Sequence, residues 1–163
     1  MFDRLWGRLA DDQFRGATTG SGDSAGAEPT VSLFVDGPNV LRSEFDVDLN
    51  EVRERAADAG RLVCARLYLD EHATPGLIQA GEARGFEVCV TSGDVDVKLA
   101  VDATAFVAGG VDVLAIASRD TDFKPVLEFA ATRRTETLAI APGTHGRSDA
   151  LRNAAHDAAT LGE

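Results

Sequence analysis

Lysine is almost missing from this chain. Lys98 and Lys124 are its two lysines among 16 basic residues, against 27 acidic ones, and the formal net charge is −11. A surface of this sign repels nucleic acid at low salt, because polyanion binding depends on phosphate neutralisation. Abundant aspartate, scarce lysine and many alanines are also typical of proteins adapted to molar salt, where a Debye length of about 3 Å at 1 M screens that repulsion. We favour this halophilic interpretation, in which the acidity says little about the substrate.

Long hydrophobic runs are also missing. No apolar run approaches the roughly 20 residues that cross a bilayer, and the first residues do not follow the pattern of a secretory signal. We therefore expect a cytoplasmic protein without a membrane partner. The two cysteines, Cys64 and Cys89, lie in apolar runs outside any C-x-x-C pair, which predicts reduced thiols rather than a disulfide or a zinc site. The glycine motifs of P-loop, dinucleotide-binding and serine-hydrolase proteins do not occur.

The chain divides near residue 30. Residues 1–15 predict a short amphipathic helix with Trp6 on its apolar side, which packs on the domain or serves as a docking element for a second copy or a protein partner. Residues 16–30 are rich in Gly, Ser, Thr and Ala and predict a flexible linker. Residues 1–30 are therefore expected to be an appendage, and residues 31–162 a single domain.

From residue 31 onward, apolar runs alternate with helical patterns. Strands are expected at 31–36, 62–69, 86–90, 111–117 and 137–140, and helices at 49–59, 74–85, 95–108, after 122 and at 148–155. Strands alternating with helices imply right-handed crossovers and a parallel sheet. The prediction is an α/β, three-layer Rossmann-like fold with about five parallel strands in the order 3-2-1-4-5 and helices on both faces.

Acidic residues follow the first and fourth strands, which this order makes neighbours. Asp36 follows one strand, and Asp120 and Asp122 follow the other. Ligands bind outside the carboxyl ends of such strands, so these side chains are expected to converge. Asp36 is either a metal ligand supported by Asn39 or only the cap of a turn.

Other polar residues near the fourth strand have expected roles as well. Asp122 is the better candidate for the cap of the following helix, because Phe123 begins the apolar stripe of that helix. Ser118 is expected to make a local hydrogen bond. Arg119 is expected to pair with the acidic cluster or with phosphate.

A second acidic segment enters the middle helix, where Asp94 and Asp96 precede Lys98 and Asp102. Asp96 and Asp102 are six residues apart, roughly 240° around a helix, so they do not both point at one ion. We expect Asp96 to be the ligand, with Asp102 supporting it or pairing with Lys98. Four aspartates at one crevice need cations, and carboxylate oxygens suit Mg²⁺ or Mn²⁺. Such ions activate water for phosphodiester cleavage.

Three blocks together resemble the NYN family, a branch of the PIN-like nucleases, and most of all its small archaeal members. The blocks are Val35–Val40, Gly93–Asp102 and Ser118–Phe123, in that order. The resemblance implies a PIN-like fold over residues 31–162, dependence on Mg²⁺ or Mn²⁺, and cleavage of RNA.

By position, the family's catalytic and metal-binding acids correspond to a small set of residues. They are Asp36, Asp96, Asp120 and Asp122, with Asn39 beside them and Asp94, Asp102, Ser118, Arg119 and Lys98 as a second tier. Many members carry Lys-Gly where this chain has Gly93-Asp94. Basic help for phosphate would then come from Lys98, Arg119 or Lys124.

Three functional hypotheses follow. The leading one is a metal-dependent endoribonuclease, in which Asp36→Asn or Asp120→Asn abolishes cleavage. The second is a module that binds RNA or a protein through the same crevice without cleaving anything. The third is a small-molecule phosphatase, for which Asp120 and Asp122 supply the two acids of D-x-D-x-[TV], whereas the last position of that pattern is Lys124.

Overall fold

The computed structural model describes residues 26–43, 45–143 and 149–161. The N-terminal helix predicted for residues 1–15, and the linker up to residue 25, lie outside the described residues. Residues 26–29 lead into the first strand without helix or strand structure. In the part of the chain that is described, no helix is both long enough and apolar enough to cross a membrane.

Strands and helices alternate along the described residues. The strands are β1 (Thr30–Asp36), β2 (Arg61–Asp70), β3 (Glu87–Thr91), β4 (Val113–Ala117), β5 (Glu136–Pro142) and β6 (Asp157–Leu161). The helices are α1 (Gly37–Val40), α2 (Leu49–Ala57), α3 (Pro75–Ala83), α4 (Val95–Ala108), α5 (Lys124–Thr132) and α6 (Asp149–Ala154), with a 3-10 turn at Thr121–Phe123.

The strands form one parallel sheet in the order β3-β2-β1-β4-β5-β6. At the centre, Val35 of β1 lies opposite Ala117 of β4, so these two strands end at nearly the same level. The strand order reverses between β1 and β4. A crevice therefore opens at their carboxyl ends, which is where open α/β sheets bind ligands.

Two hydrophobic layers cover the two faces of the sheet. On one face, residues of α1 and α2, such as Val40 and Val52, pack on Leu33 and its neighbours. On the other face, Leu99 of α4 and Leu127 of α5 pack around Phe34, together with residues of α6. The predicted α/β fold with helices on both faces is confirmed.

The central strands are strands because both of their faces are buried. All five residues of β4 are buried, as are six of the seven in β1. Continuous apolar runs of this kind are typical of interior parallel strands. Immediately after β1, a Cβ atom at Gly37 would clash with the carbonyl oxygen of Tyr68. The chain can turn this close to β2 only with glycine at that position.

The expected count of five strands is wrong, because β6 adds a sixth beside β5. The segment is short and begins with an aspartate, so its local sequence gives little strand signal. Long-range contacts hold it in place. The backbone N–H of Thr137 donates to Nδ1 of His156 at 3.1 Å, and the N–H of His156 donates to Oγ1 of Thr137 at 3.0 Å.

Local signals in the sequence place several helix ends correctly. Asp48 accepts a hydrogen bond from the N–H of Asn50 and caps α2, while Thr74 accepts one from the N–H of Leu77 and caps α3. Helix α4 has the bounds expected from the sequence. Cys64 and Cys89 are free thiols, as predicted.

Candidate functional site

Asp36 ends β1 and is almost fully enclosed, with 2% of its surface exposed. Its Oδ2 accepts a hydrogen bond from Oγ of Ser118 at 2.9 Å, and its Oδ1 accepts one from the N–H of Asn39 at 3.3 Å. Burial raises the pKa of Asp36 above its usual value; the two hydrogen bonds oppose this rise and the nearby charge of Asp120 adds to it. This carboxyl group therefore caps α1 and also contacts the segment that follows β4.

Two hydrogen bonds tie the loop after β4 to the loop after β1. The side-chain oxygen of Asn39 accepts from the N–H of Arg119 at 2.9 Å. The hydroxyl of Ser118, which donates to Asp36, accepts from the N–H of Asp120 at 3.0 Å. Because Ser118 is buried, its two hydrogen bonds fix the start of the loop after β4 relative to the end of β1.

Asp120 caps the 3-10 turn that follows β4. Its Oδ1 accepts a hydrogen bond from the N–H of Asp122 at 2.9 Å. The expectation that Asp122 would be the helix cap is wrong, because the 3-10 turn intervenes and α5 begins only at Lys124. Asp122 is exposed, so its carboxylate remains available to solvent and ligands.

Asp94 caps α4 in the same manner. Its Oδ1 accepts from the N–H of Asp96 at 3.1 Å, which holds Asp96 in the first turn of the helix. Carboxylate oxygens of Asp96, Asp120 and Asp122 lie within 4.8 Å of one another. We call this group the acid triad. It joins the first turn of α4 to the loop after β4, across the predicted crevice.

The acid triad has the electrostatics of a cation site. Burial, followed by the charges of Asp36, Asp120 and Asp94 and a hydrogen bond with Asp120, raises the pKa of Asp96 to about 6. Carboxylates this close compete for a proton unless a cation neutralises them. Their oxygen atoms are the hard donors that Mg²⁺ and Mn²⁺ prefer. The donor set therefore fits a divalent ion of this kind.

Asp36 is not part of the acid triad, and Asn39 accepts a hydrogen bond from the N–H of Arg119, next to Asp120. Asp36 is nevertheless close enough for its charge to raise the pKa of Asp96. Of the four aspartates expected to converge, the structure thus groups three, and the fourth, Asp36, is buried outside this group. Its contacts are Ser118 and the backbone of α1.

Asp102 belongs to a different network, one turn or more further along α4. Its Oδ1 accepts from Nζ of Lys98 at 2.8 Å, and its Oδ2 accepts from the hydroxyl of Tyr68 at 2.8 Å and from the guanidinium of Arg66 at 3.5 Å. Arg66 also donates to Glu87 at 2.8 Å. This network fastens α4 to β2 and β3 rather than completing the acid triad.

The two lysines near the crevice both have acidic neighbours one helical turn away. Lys98 pairs with Asp102 at 2.8 Å, and Lys124 pairs with Glu128 at 3.7 Å. The guanidinium of Arg119 instead lies over the ring of Phe45, with its central carbon 5.3 Å from the ring centroid. Lys98, Lys124 and Arg119 are the three residues expected to supply positive charge for phosphate in place of the Lys-Gly pair that many family members carry.

Arg66, Tyr68 and Phe45 were not identified from the sequence. The sequence does contain a weak signal for Arg66 and Tyr68. They are two residues apart in an otherwise apolar run, so they lie on the same face of the strand. Phe45 is an aromatic residue in a polar loop and carries no positional signal. Its contact with Arg119 spans 74 positions of the chain and depends on the complete sheet.

Comparison with known proteins gives the following matches. Residues 30–161 match the NYN domain. An uncharacterized protein of Methanocaldococcus jannaschii is 40% identical over 137 residues, which cover 83% of this chain and 57% of that protein. The chain thus matches little more than half the length of this relative.

One solved structure has a similar fold. A protein of unknown function from Vibrio parahaemolyticus superposes with a TM-score of 0.74 at 21% identity, covering 86% of this chain and 98% of the other. At this identity the similarity concerns the fold alone.

Proposed function

The chain belongs to the NYN domain family, and from this premise we propose that it is a metal-dependent ribonuclease that cleaves RNA phosphodiester bonds at the acid triad. The family has a PIN-like nuclease fold, and the three carboxylates lie where such a sheet presents its ligands. The observation that carries the proposal is the approach of Asp96, Asp120 and Asp122 within 4.8 Å from two separate elements.

In this proposal Asp96, Asp120 and Asp122 hold Mg²⁺ or Mn²⁺. When bound, the ion supplies an activated water and neutralises charge on the phosphoryl oxygens. Hydrogen bonds already engage both oxygens of Asp36. We therefore assign to Asp36, the fourth predicted ligand, a positioning role. It orients Ser118 and, through Ser118, the loop that carries Asp120.

The remaining polar residues position these groups. Asp94 caps α4 and holds Asp96 in its first turn, while Asn39 fixes the backbone of Arg119 next to Asp120. Supporting groups of this kind usually change activity or metal affinity by about 10–100-fold when they are removed. Asp102 acts further away, by fastening α4 to the sheet.

A second candidate is a module that binds RNA or a protein at the same crevice without turnover. The observation in its favour is that Lys98 and Lys124 pair with Asp102 and Glu128, which engages both lysines near the acid triad. It predicts metal binding without a cleavage product. The phosphatase alternative gains no support, because the acid triad includes Asp96 of α4 and is not formed by the D-x-D pattern alone.

The deciding experiment is a cleavage assay at high KCl. Labelled single-stranded and structured RNA would be incubated with wild type, Asp120→Asn, Asp36→Asn and the remote control Glu136→Gln, each with Mn²⁺, Mg²⁺ or EDTA. We expect cleavage that depends on the metal, is lost in Asp120→Asn, and is reduced about 10–100-fold in Asp36→Asn. Cleavage that survives in Asp120→Asn refutes the proposed site. Intact Mn²⁺ binding without any product favours the second candidate.

A further inference from the structure

The solvent-facing side of α4 is apolar. The stripe by which this helix packs on the sheet consists of Val95, Leu99, Ala103 and Val107. Val97 and Val101 each come two residues before a residue of that stripe, which is about 200° around a helix. They are 60% and 47% exposed, and they are two of the four large hydrophobic residues exposed among the residues that the structure describes. We call the side of α4 that carries Val97 and Val101 its outer face.

Charged and polar groups do not interrupt the outer face. Asp102 is the single charged residue within residues 99–110, and its carboxylate accepts the hydrogen bond from the buried Tyr68 at 2.8 Å. The hydroxyl of Thr104 donates to the carbonyl of Ala100 on the same helix at 2.7 Å. Helix α4 is therefore apolar on both sides along most of its length, as is typical of helices that are covered on both sides.

Helix α2 shows the ordinary pattern of a surface helix. Its residues Val52 and Ala56 are buried, whereas Glu54 and Arg55 are exposed. Charged residues make up 26% of the chain, so an outer helix face without charge is a departure from the rest of its surface. This departure indicates that another segment or molecule covers α4.

We propose that residues 1–15, the N-terminal segment, pack as a helix on the outer face of α4 in the same molecule. The sequence predicts an amphipathic helix for this segment. Its apolar residues recur at the spacing of one helix face and are Phe2, Leu5, Trp6 and Leu9. The match to the NYN domain begins at residue 30, so the segment is additional to the shared fold. The inference goes beyond the proposed ribonuclease and does not depend on it.

The size of the outer face favours a tethered segment over a separate molecule. Helix α4 has 14 residues, so at about 1.5 Å per residue and a width of about 10 Å its outer face measures roughly 200 Å². A stable interface between two proteins buries about 800 Å² on each partner. A helix of residues 1–15 would be about 22 Å long, which matches the length of α4. A covalent tether gives such a segment an effective concentration in the millimolar range, so a small contact suffices.

The chain enters the domain near the end of α4. The N–H and the hydroxyl of Thr30 both donate to Oδ2 of Asp112 at 2.8 Å, and Asp112 follows the last residue of α4 by four positions. Residues 16–29, which connect the segment to Thr30, have a root-mean-square reach of about 20 Å if they are flexible. This reach is close to the length of α4, so the segment can lie along the outer face.

The charge of the N-terminal segment favours the same occupant. Residues 1–10 carry Arg4 and Arg8 against Asp3, which is opposite in sign to the net charge of −11 of the whole chain. Attraction to the acidic domain therefore adds to the apolar contact. A second copy would bring a further net charge of −11 and be repelled wherever salt does not screen it.

The test uses Trp6, which is the single tryptophan of the chain. Its emission maximum and its quenching by acrylamide would be measured on the full-length chain at high KCl and over a wide range of protein concentration. Val97→Glu and Val101→Glu each place a charge on the outer face. Val90→Glu is the matched control, because Val90 is 50% exposed and lies on the edge strand β3. Circular dichroism and thermal unfolding of each variant monitor its folding.

We expect an enclosed indole in wild type. Its emission should be shifted to the blue relative to the urea-unfolded chain, and acrylamide should quench it several-fold less. Both values should be independent of protein concentration, because the contact is intramolecular. Val97→Glu and Val101→Glu should each shift the emission to the red and raise the quenching constant several-fold, since burying an unpaired carboxylate is costly. Val90→Glu should behave like wild type.

Four results would overturn the inference. The first is a wild-type emission equal to that of the unfolded chain, which means that Trp6 is in solvent. The second is an enclosed Trp6 that neither α4 variant releases, because the segment then packs on another surface. The third is a shift in Val90→Glu as large as in the α4 variants. The fourth is an emission that moves to the blue only as the protein concentration rises, which assigns the outer face to a second copy.

Discussion

At the scale of single residues, Asp96 is the group whose ionisation is most closely tied to the acid triad. Its pKa is about 6 in the folded chain, against an ordinary value of 3.8. The folded state thus holds a proton that the unfolded chain has released. The stability that this proton provides is fully present below pH 3.8 and is lost as the pH rises through about 6. At neutral pH the metal-free protein therefore holds an ionised Asp96 that is destabilised by burial and by the neighbouring carboxylates.

Replacing Asp96 with a neutral residue removes this destabilisation of the folded state. We expect Asp96→Asn to raise the Tm in EDTA at neutral pH, with the difference from wild type vanishing below about pH 4. Added Mn²⁺ should raise the Tm of wild type and leave that of Asp96→Asn nearly unchanged, because an ion that binds only the folded state stabilises it. Differential scanning calorimetry across pH measures both effects. The control is Glu136→Gln, an exposed acid at the opposite edge of the sheet. Parallel pH profiles for wild type and Asp96→Asn would contradict this account.

At the scale of elements, the cap of α4 links folding to the site. Asp94→Ala and Thr74→Ala each remove one N-cap side chain, and each should cost about 1 kcal/mol in the free energy of unfolding. Only Asp94 caps the helix that carries Asp96. We expect weaker Mn²⁺ binding in Asp94→Ala and unaltered binding in Thr74→Ala. Chemical denaturation and isothermal titration calorimetry measure the two quantities.

A third variant separates the cap from its charge. Asp94→Ser keeps a capping oxygen and removes the carboxylate, so it should recover stability and most of the metal affinity. If Asp94→Ser binds Mn²⁺ as poorly as Asp94→Ala, the charge of Asp94 matters to the ion and the cap does not.

Elements with strong local signals were predictable, and those that depend on distant partners were not. Continuous apolar runs identify β1 and β4, and helix α4 has the expected bounds because Asp94 and Gly109 mark its ends. β6 was missed, because its short segment gains its position from pairing with β5 and from His156. The same division applies to the site. The acidic residues of the site could be identified from their spacing along the chain, whereas the contact of Phe45 with Arg119 exists only in the folded sheet.

At the scale of the whole molecule, the excess of acid is the dominant property. With a net charge of −11, the folded chain repels itself more strongly than the expanded chain does. The halophilic interpretation predicts that Tm continues to rise with KCl well above 0.1 M, where the Debye length is already about 10 Å. For a chain of this size, each kcal/mol gained raises Tm by about 2–4 °C.

Thermal unfolding across KCl concentrations measures this dependence. Uncharged osmolytes at equal osmolality are the control, since they do not screen charge. A Tm that stops rising at low salt would mean that simple screening suffices, and the acidity would then need another explanation. The same titration defines the conditions under which RNA and metal binding can be compared.

Tyr68 gives the molecule an internal optical marker. It is the single tyrosine of the chain, and its hydroxyl donates to Asp102 between β2 and α4. Burial, together with this hydrogen bond and the charge of Asp102, raises the pKa of Tyr68 well above its usual value of 10.0. In mild alkali a folded molecule therefore keeps a neutral phenol, while an unfolded one shows the absorbance of a phenolate. The phenolate absorbance then measures the fraction of unfolded molecules, in which α4 no longer packs on the sheet, and no added label is needed.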